Sequence, residues 1–211
     1  MAWRDMVKRG NSLHKMVDQI LEASLSVKAS FIRENTNKLI LLAERIAQAF
    51  TDDKKLMLCG NGGSAADAQH IAAEFVNRFE MERPSLPAIA LTTDTSVITS
   101  IGNDYSFREV FSKQIKAIGL EGDVLLAIST SGNSENVVKA VEDAKDLRIY
   151  TAAFLGRDGG ELSKIADLAL IARSENTARV QEAHILGGHI LCHLVDYILF
   201  QRHVEEHEDP I

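Results

Sequence analysis

Cysteine is scarce in this 211-residue chain: Cys59 and Cys192 are the only two, and they stand far apart. They offer no disulfide framework, and such usage fits a reducing cytosol. Positive charge is short as well, with 23 Lys and Arg against 30 Asp and Glu, a net charge of −7. No basic run offsets that deficit, which argues against a general nucleic-acid-binding surface. The stretch Met1-Ala2-Trp3-Arg4-Asp5 lacks the apolar core of a secretory signal. The longest apolar stretch, Ile185 to Phe200, is interrupted by His189, His193 and Asp196, and is expected to be too short and too polar to span a bilayer. A cytoplasmic location follows as the expectation. No internal linker, low-complexity tract or repeat is visible. With 45% apolar and 25% charged residues, the chain reads as one globular domain.

Glycine and proline are missing from Ser12 to Phe50. Over that span Leu13, Met16, Val17, Ile20, Leu21 and Leu25 recur at spacings of three and four. Leu39, Leu42, Ile46 and Phe50 repeat the pattern in a second segment. Both read as helices packed on the domain or on a partner subunit. From Lys55 the texture changes to short runs that are apolar throughout: Leu56–Cys59, Ala88–Leu91, Asp123–Ile128, Tyr150–Leu155 and Leu168–Ile171. Unbroken apolar runs belong to parallel strands covered on both faces. Helical patterns separate them, as from Asn136 to Ala144, and a last long helix runs from about Ala178 to Gln201. The expected fold is a doubly wound α/β layer with ligands at the carboxyl ends of the strands.

Two of those ends are unusual. Cys59-Gly60-Asn61-Gly62-Gly63-Ser64 and Ile128-Ser129-Thr130-Ser131-Gly132-Asn133-Ser134 each join a strand to a helix, and neither contains Lys or Arg. A turn through small residues into a helix exposes free N–H groups at the positive end of the helix dipole. Hydroxyls add rotatable donors. The pair points to a small molecule carrying a phosphate, held by neutral groups.

Downstream of the first loop, His70 and Glu74 share a helix face. That spacing suits a divalent metal, a base beside a proton carrier, or a plain solvated pair. The last helix carries Gln181, Glu182, His184, His189 and His193. At about 100° per residue, 181 lies roughly 80° from 189, and 182 about 20° from it. His189 can therefore share a face with either, and geometry alone favours Glu182. His184, about 140° from His189, cannot point into the same site. His193 reads as a core or interface histidine, Cys59 as a buried strand residue, and Asp94 as a helix N-cap at the edge of the crevice. Gly102-Asn103-Asp104 and Arg157-Asp158-Gly159-Gly160 read as turns.

Together, the loop Gly60-Asn61-Gly62-Gly63-Ser64, the loop Ser129-Thr130-Ser131-Gly132-Asn133-Ser134 and the motif Val180-Gln181-Glu182-Ala183-His184 resemble the sugar isomerase (SIS) family, and within it the phosphoheptose isomerases. The resemblance covers about residues 10 to 201. It implies a three-layer, flavodoxin-like α/β fold, with a parallel five-stranded sheet flanked by helices. Residues 1–54 would form N-terminal helices and 55–211 the SIS domain. It also implies a homotetramer with sites built between subunits. Ser129, Thr130, Ser131 and Ser134 match the family's phosphate loop. Asn61, Gly62, Ser64, Asp94 and Gln181 match positions that touch the sugar. Glu74 and His189 match the catalytic acid/base pair. His70, Glu74, Gln181 and His189 match zinc ligands of some members, so the resemblance selects Gln181 over Glu182. Some members carry an aspartate three residues before the glutamine, where this chain has Ala178.

The implied reaction is the aldose–ketose isomerisation of sedoheptulose 7-phosphate to D-glycero-D-manno-heptose 7-phosphate, toward ADP-heptose and the lipopolysaccharide core. The alternative is a non-enzymatic SIS protein that binds the bacterial replication initiator. Asn77–Pro87 and Leu191–Asp196 resemble such a relative, but it lacks the acid/base pair at positions 74 and 189.

Overall fold

The computed structural model describes residues 3–201, with side chains from Ser12 onward. The chain runs α1 (Trp3–Thr51), β1 (Leu56–Gly60), α2 (Gly63–Val76), β2 (Ala88–Ala90), α3 (Thr95–Asp104), a 3₁₀ turn (Phe107–Glu109), α4 (Ser112–Ile118), β3 (Val124–Ser129), α5 (Glu135–Asp146), β4 (Tyr150–Gly156), α6 (Leu162–Ile165), β5 (Leu168–Ala172) and α7 (Thr177–Asp196), which ends in a π turn (Tyr197–Gln201). The strands form one sheet in the order β2-β1-β3-β4-β5. Every pairing is parallel. The chain therefore winds one way from β1 to β2 and the other way from β3 onward. A crevice opens at that reversal, beyond the carboxyl ends of β1 and β3.

Alternate strand residues feed opposite layers. Leu56, Leu58, Leu126, Ile128 and Phe154 pack under α1, α2 and α7. Met57, Cys59, Leu125, Ala127 and Leu155 pack under α3, α4, α5 and α6. The five apolar runs of the sequence are the five strands, to within a residue at each end.

Three expectations change. The two N-terminal segments form a single 49-residue helix, because no Gly or Pro interrupts Ser12 to Phe50. Its second half contributes Phe31, Leu39, Leu42 and Ile46 to the core against the sheet. Gly102-Asn103-Asp104 is no turn but the last three residues of α3, which Asp94 starts by accepting a 2.9 Å hydrogen bond from Val97 N. Thr177–Gln201 is long and apolar enough to cross a membrane, contrary to the reading of its sequence. It packs against α1 and α2, with Val180, Ala183, Leu191 and Val195 in the core. Arg157, Gly159 and Gly160 form the expected turn with positive φ.

Candidate active site

The first loop ends β1 and enters α2. Gly62 is its N-cap, at φ 55°, and supplies no side chain. Ser64 is buried and Asn61 half-buried. The second loop ends β3 and enters α5. Ser129 is buried, with its Oγ 3.2 Å from Ser134 Oγ and 3.5 Å from Ser131 Oγ. Gly132 N donates to Ser129 Oγ and Asn133 N to Ser131 Oγ, each at 3.2 Å. Thr130 is half-buried beside them. Hydroxyls that hold one another at these distances can turn toward an anion without a lysine or arginine.

The two loops are tied together. Asn61 and buried Asn136, the second residue of α5, exchange two side-chain hydrogen bonds of 2.8 and 2.9 Å. Sequence reading does not single out Asn136, although it stands in the first turn of the helix after the hydroxyl loop. A cavity of about 150 Å³ lies beside the first loop, lined by Asn61, Gly62, Ala65, Thr92, Ile98 and Phe107, among others. Asp94 lies outside it, in a separate groove between α3 and α4 with Val97, Ile101 and Lys113.

Further along α2, His70 and Glu74 meet His189 of α7. The Nε2 atoms of His70 and His189 are 2.9 Å apart, and Glu74 Oε1 is 3.4 Å from His70 Nε2. One ligand atom from each of the three fits within 4.8 Å of the others. Phe79 stacks on the His189 ring, with centroids 5.6 Å apart and planes at 28°. Two imidazole nitrogens facing head-on have room for one proton between them, and the carboxylate beside them is an acceptor. Three lone pairs converging from two imidazoles and a carboxylate suit a borderline-soft divalent cation such as zinc.

Gln181 reaches the same helix from above. A Cβ on Gly63 would fall 2.3 Å from Gln181 Nε2, so only glycine lets that amide lie on the first turn of α2. Glu182, which helical angles favoured, turns away to α1. It pairs with Arg179, whose Nη1 also donates to Ile20 O. The angle was right for the helix but blind to the neighbour that claims the side chain. His193 is exposed rather than buried, with its Nδ1 3.3 Å from Glu80 Oε2. Cys59 is buried in β1, and burial pushes its thiol up to about 12. Sequence reading also passed over Asp67, one turn before His70 and Ile71. Burial raises its carboxyl to about 6 against the opposing pull of His70, and its Oδ2 has no partner among the described residues.

A profile of the SIS domain family matches residues 20–156, from inside α1 to the end of β4. A phosphoheptose isomerase of Clostridium acetobutylicum is 50% identical over 196 residues, covering 92% of this chain and all of the relative. The chain belongs to the phosphoheptose isomerase family of SIS-domain proteins. Among solved structures, the phosphoheptose isomerase of Neisseria gonorrhoeae superposes with a TM-score of 0.83 at 44% identity, over 87% of this chain and 98% of that one. That of Francisella tularensis gives 0.84 at 41% identity, over 88% and 98%. The family match includes both loops and α2, while α7, which brings His189 and Gln181, lies beyond it.

Proposed function

We propose that this phosphoheptose isomerase family member converts sedoheptulose 7-phosphate to D-glycero-D-manno-heptose 7-phosphate, in the cytoplasm, toward ADP-heptose and the lipopolysaccharide core. The observation that carries the reading is the convergence of His70, Glu74 and His189 from two helices, in a chain that also presents a hydroxyl-lined strand end. Ser129, Thr130, Ser131 and Ser134 bind the phosphate. Asn61, Gly62, Ser64 and Gln181 orient the sugar, while Asp94, in its separate groove, caps α3. In the open-chain ketose, Glu74 takes a proton from C1 while His189 protonates the carbonyl oxygen at C2, giving an enediol. Return of the proton to C2, with loss of the proton on O1, gives the aldehyde. General acid–base groups of this kind contribute about 10²–10⁴-fold.

Zinc, one per subunit, fits His70, Glu74 and His189, whereas Gln181 lies against Gly63, two turns of α2 before His70; when bound, the ion would supply a Lewis acid for the sugar oxygens. The protein groups still decide which proton moves. A module that only bound a replication initiator would have no need to converge two imidazoles and a carboxylate, so the enzyme reading is preferred. The active form is a homotetramer with sites completed between subunits.

The test is an NMR assay with sedoheptulose 7-phosphate. Aldose is expected to appear, a chelator to slow its formation, and added zinc to restore it. No conversion at any zinc level overturns the proposal.

A further inference from the structure

The segment after α2 doubles back along α7. Phe79 stacks on His189, and Glu80 pairs with His193 at 3.3 Å. Arg83 Nε donates to Asp196 Oδ1 at 2.8 Å, and Gln201 Nε2 lies 3.5 Å from Met81 Sδ. Residues 79–83 thus form a strap across the helix that carries His189. Within the strap, the Arg83 and Asp196 side chains are 1% and 6% exposed.

The guanidinium also reaches the other helix. Its Nη2 donates to the backbone carbonyl of Glu74 at 2.9 Å. Its Nη1 donates to Phe75 O at 2.8 Å and to Pro84 O at 3.0 Å. The last carbonyls of a helix lack partners within it, and a cation there is favoured by the helix dipole. One planar group therefore holds the peptide of Glu74 with one edge and, with the other, an aspartate two turns beyond His189.

We propose that Arg83 is a positioning residue that fixes the gap between the Glu74 and His189 side chains. This rests on the isomerase reading above. A buried ion pair is seldom more stabilising than apolar side chains of the same volume. What Arg83 adds is geometry, because its fixed fork serves two helices at once. A lysine can keep the charge opposite Asp196 but cannot also span the carbonyls of Glu74, Phe75 and Pro84. Misplacement of reacting groups by about 1 Å can lower a rate by roughly 10².

The experiment compares wild type, Arg83→Lys and the double variant Arg83→Met with Asp196→Leu, which removes both buried charges together. Circular dichroism reports folding, steady-state kinetics report kcat and KM, and crystal structures report the separation of Glu74 from His189. In both variants kcat is expected to fall about 10–100-fold, while KM for the sugar phosphate stays within about 3-fold because the hydroxyl loop is untouched. The separation of residues 74 and 189 is expected to change. A folded double variant with wild-type kcat, or one with the helices unmoved, overturns the proposal. Should wild type itself fail to turn over sedoheptulose 7-phosphate, the isomerase reading falls, and the crystal structures alone decide whether Arg83 sets the gap.

Discussion

His184 lies between Phe31 and Phe154, with ring centroids 6.0 and 5.7 Å away. Its Nε2–H donates to Leu155 O at 3.0 Å, tying α7 to the end of β4. Burial pushes this imidazole from its ordinary 6.5 down to about 4, against a smaller upward pull from the Leu155 carbonyl. An imidazole whose pKa is lowered by folding binds its proton more readily in the unfolded chain. Its contribution to stability is whole above about pH 6.5 and is lost as pH falls toward 4. Asp67, raised to about 6, acts with the opposite sign over part of that range. The comparison that isolates His184 is therefore between wild type and His184→Leu. On going from pH 7 to pH 5, wild type is expected to lose about 2 kcal/mol more in urea unfolding than the variant. Equal losses would contradict the assignment. Glu182, two residues earlier, shows what single-residue reading misses. Against the upward push of burial, hydrogen bonds from Ser24 and Arg179 hold its carboxyl below the usual range. Ser24 lies in α1, more than 150 positions away, and no angle measured along α7 could reveal it.

The site depends on how closely α2 and α7 approach. Two glycines lie at that approach, Gly63 under Gln181 and Gly188 against Ile71, where an added Cβ would meet Ile71 Cδ1 at 2.5 Å. Gly63→Ala is expected to keep the fold and displace the Gln181 amide, lowering kcat about 10-fold or more. Gly188→Ala should instead overpack the buried contact with Ile71 and reduce stability by about 1–3 kcal/mol. Thermal melts beside kinetics separate the two cases. A Gly63→Ala enzyme with unchanged kcat would show that the close approach is incidental. The elements themselves were largely legible. Leu56–Cys59 and Val124–Ile128 announce strands because a sheet covered on both faces favours unbroken apolar runs. Gly102-Asn103-Asp104 misled because turn-forming residues also close helices, and here they finish α3.

For the whole molecule, the long helix carries the feature that bears on assembly. Leu13, Met16, Val17, Ile20, Leu21 and Leu25 recur at helical spacing, and each is 48–64% exposed. In the proposed homotetramer this exposed apolar stripe is the face that a partner subunit would cover. Light scattering is expected to give four times the chain mass of 23.2 kDa. Leu13→Lys with Val17→Lys and Ile20→Lys is expected to yield smaller species of unchanged helicity. A monomeric wild type would contradict the assembly. The sequence carried the stripe but not its occupant, since periodicity shows that a face must be covered and not by what.

In the proposed reaction Glu74 carries the proton between C1 and C2. The most direct measurement is single-turnover conversion of sedoheptulose 7-phosphate by wild type and by Glu74→Gln, with substrate affinity determined for both. Binding through the hydroxyl loop is expected to survive the substitution while conversion slows at least about 100-fold. A Glu74→Gln enzyme that turns over at the wild-type rate would contradict the account.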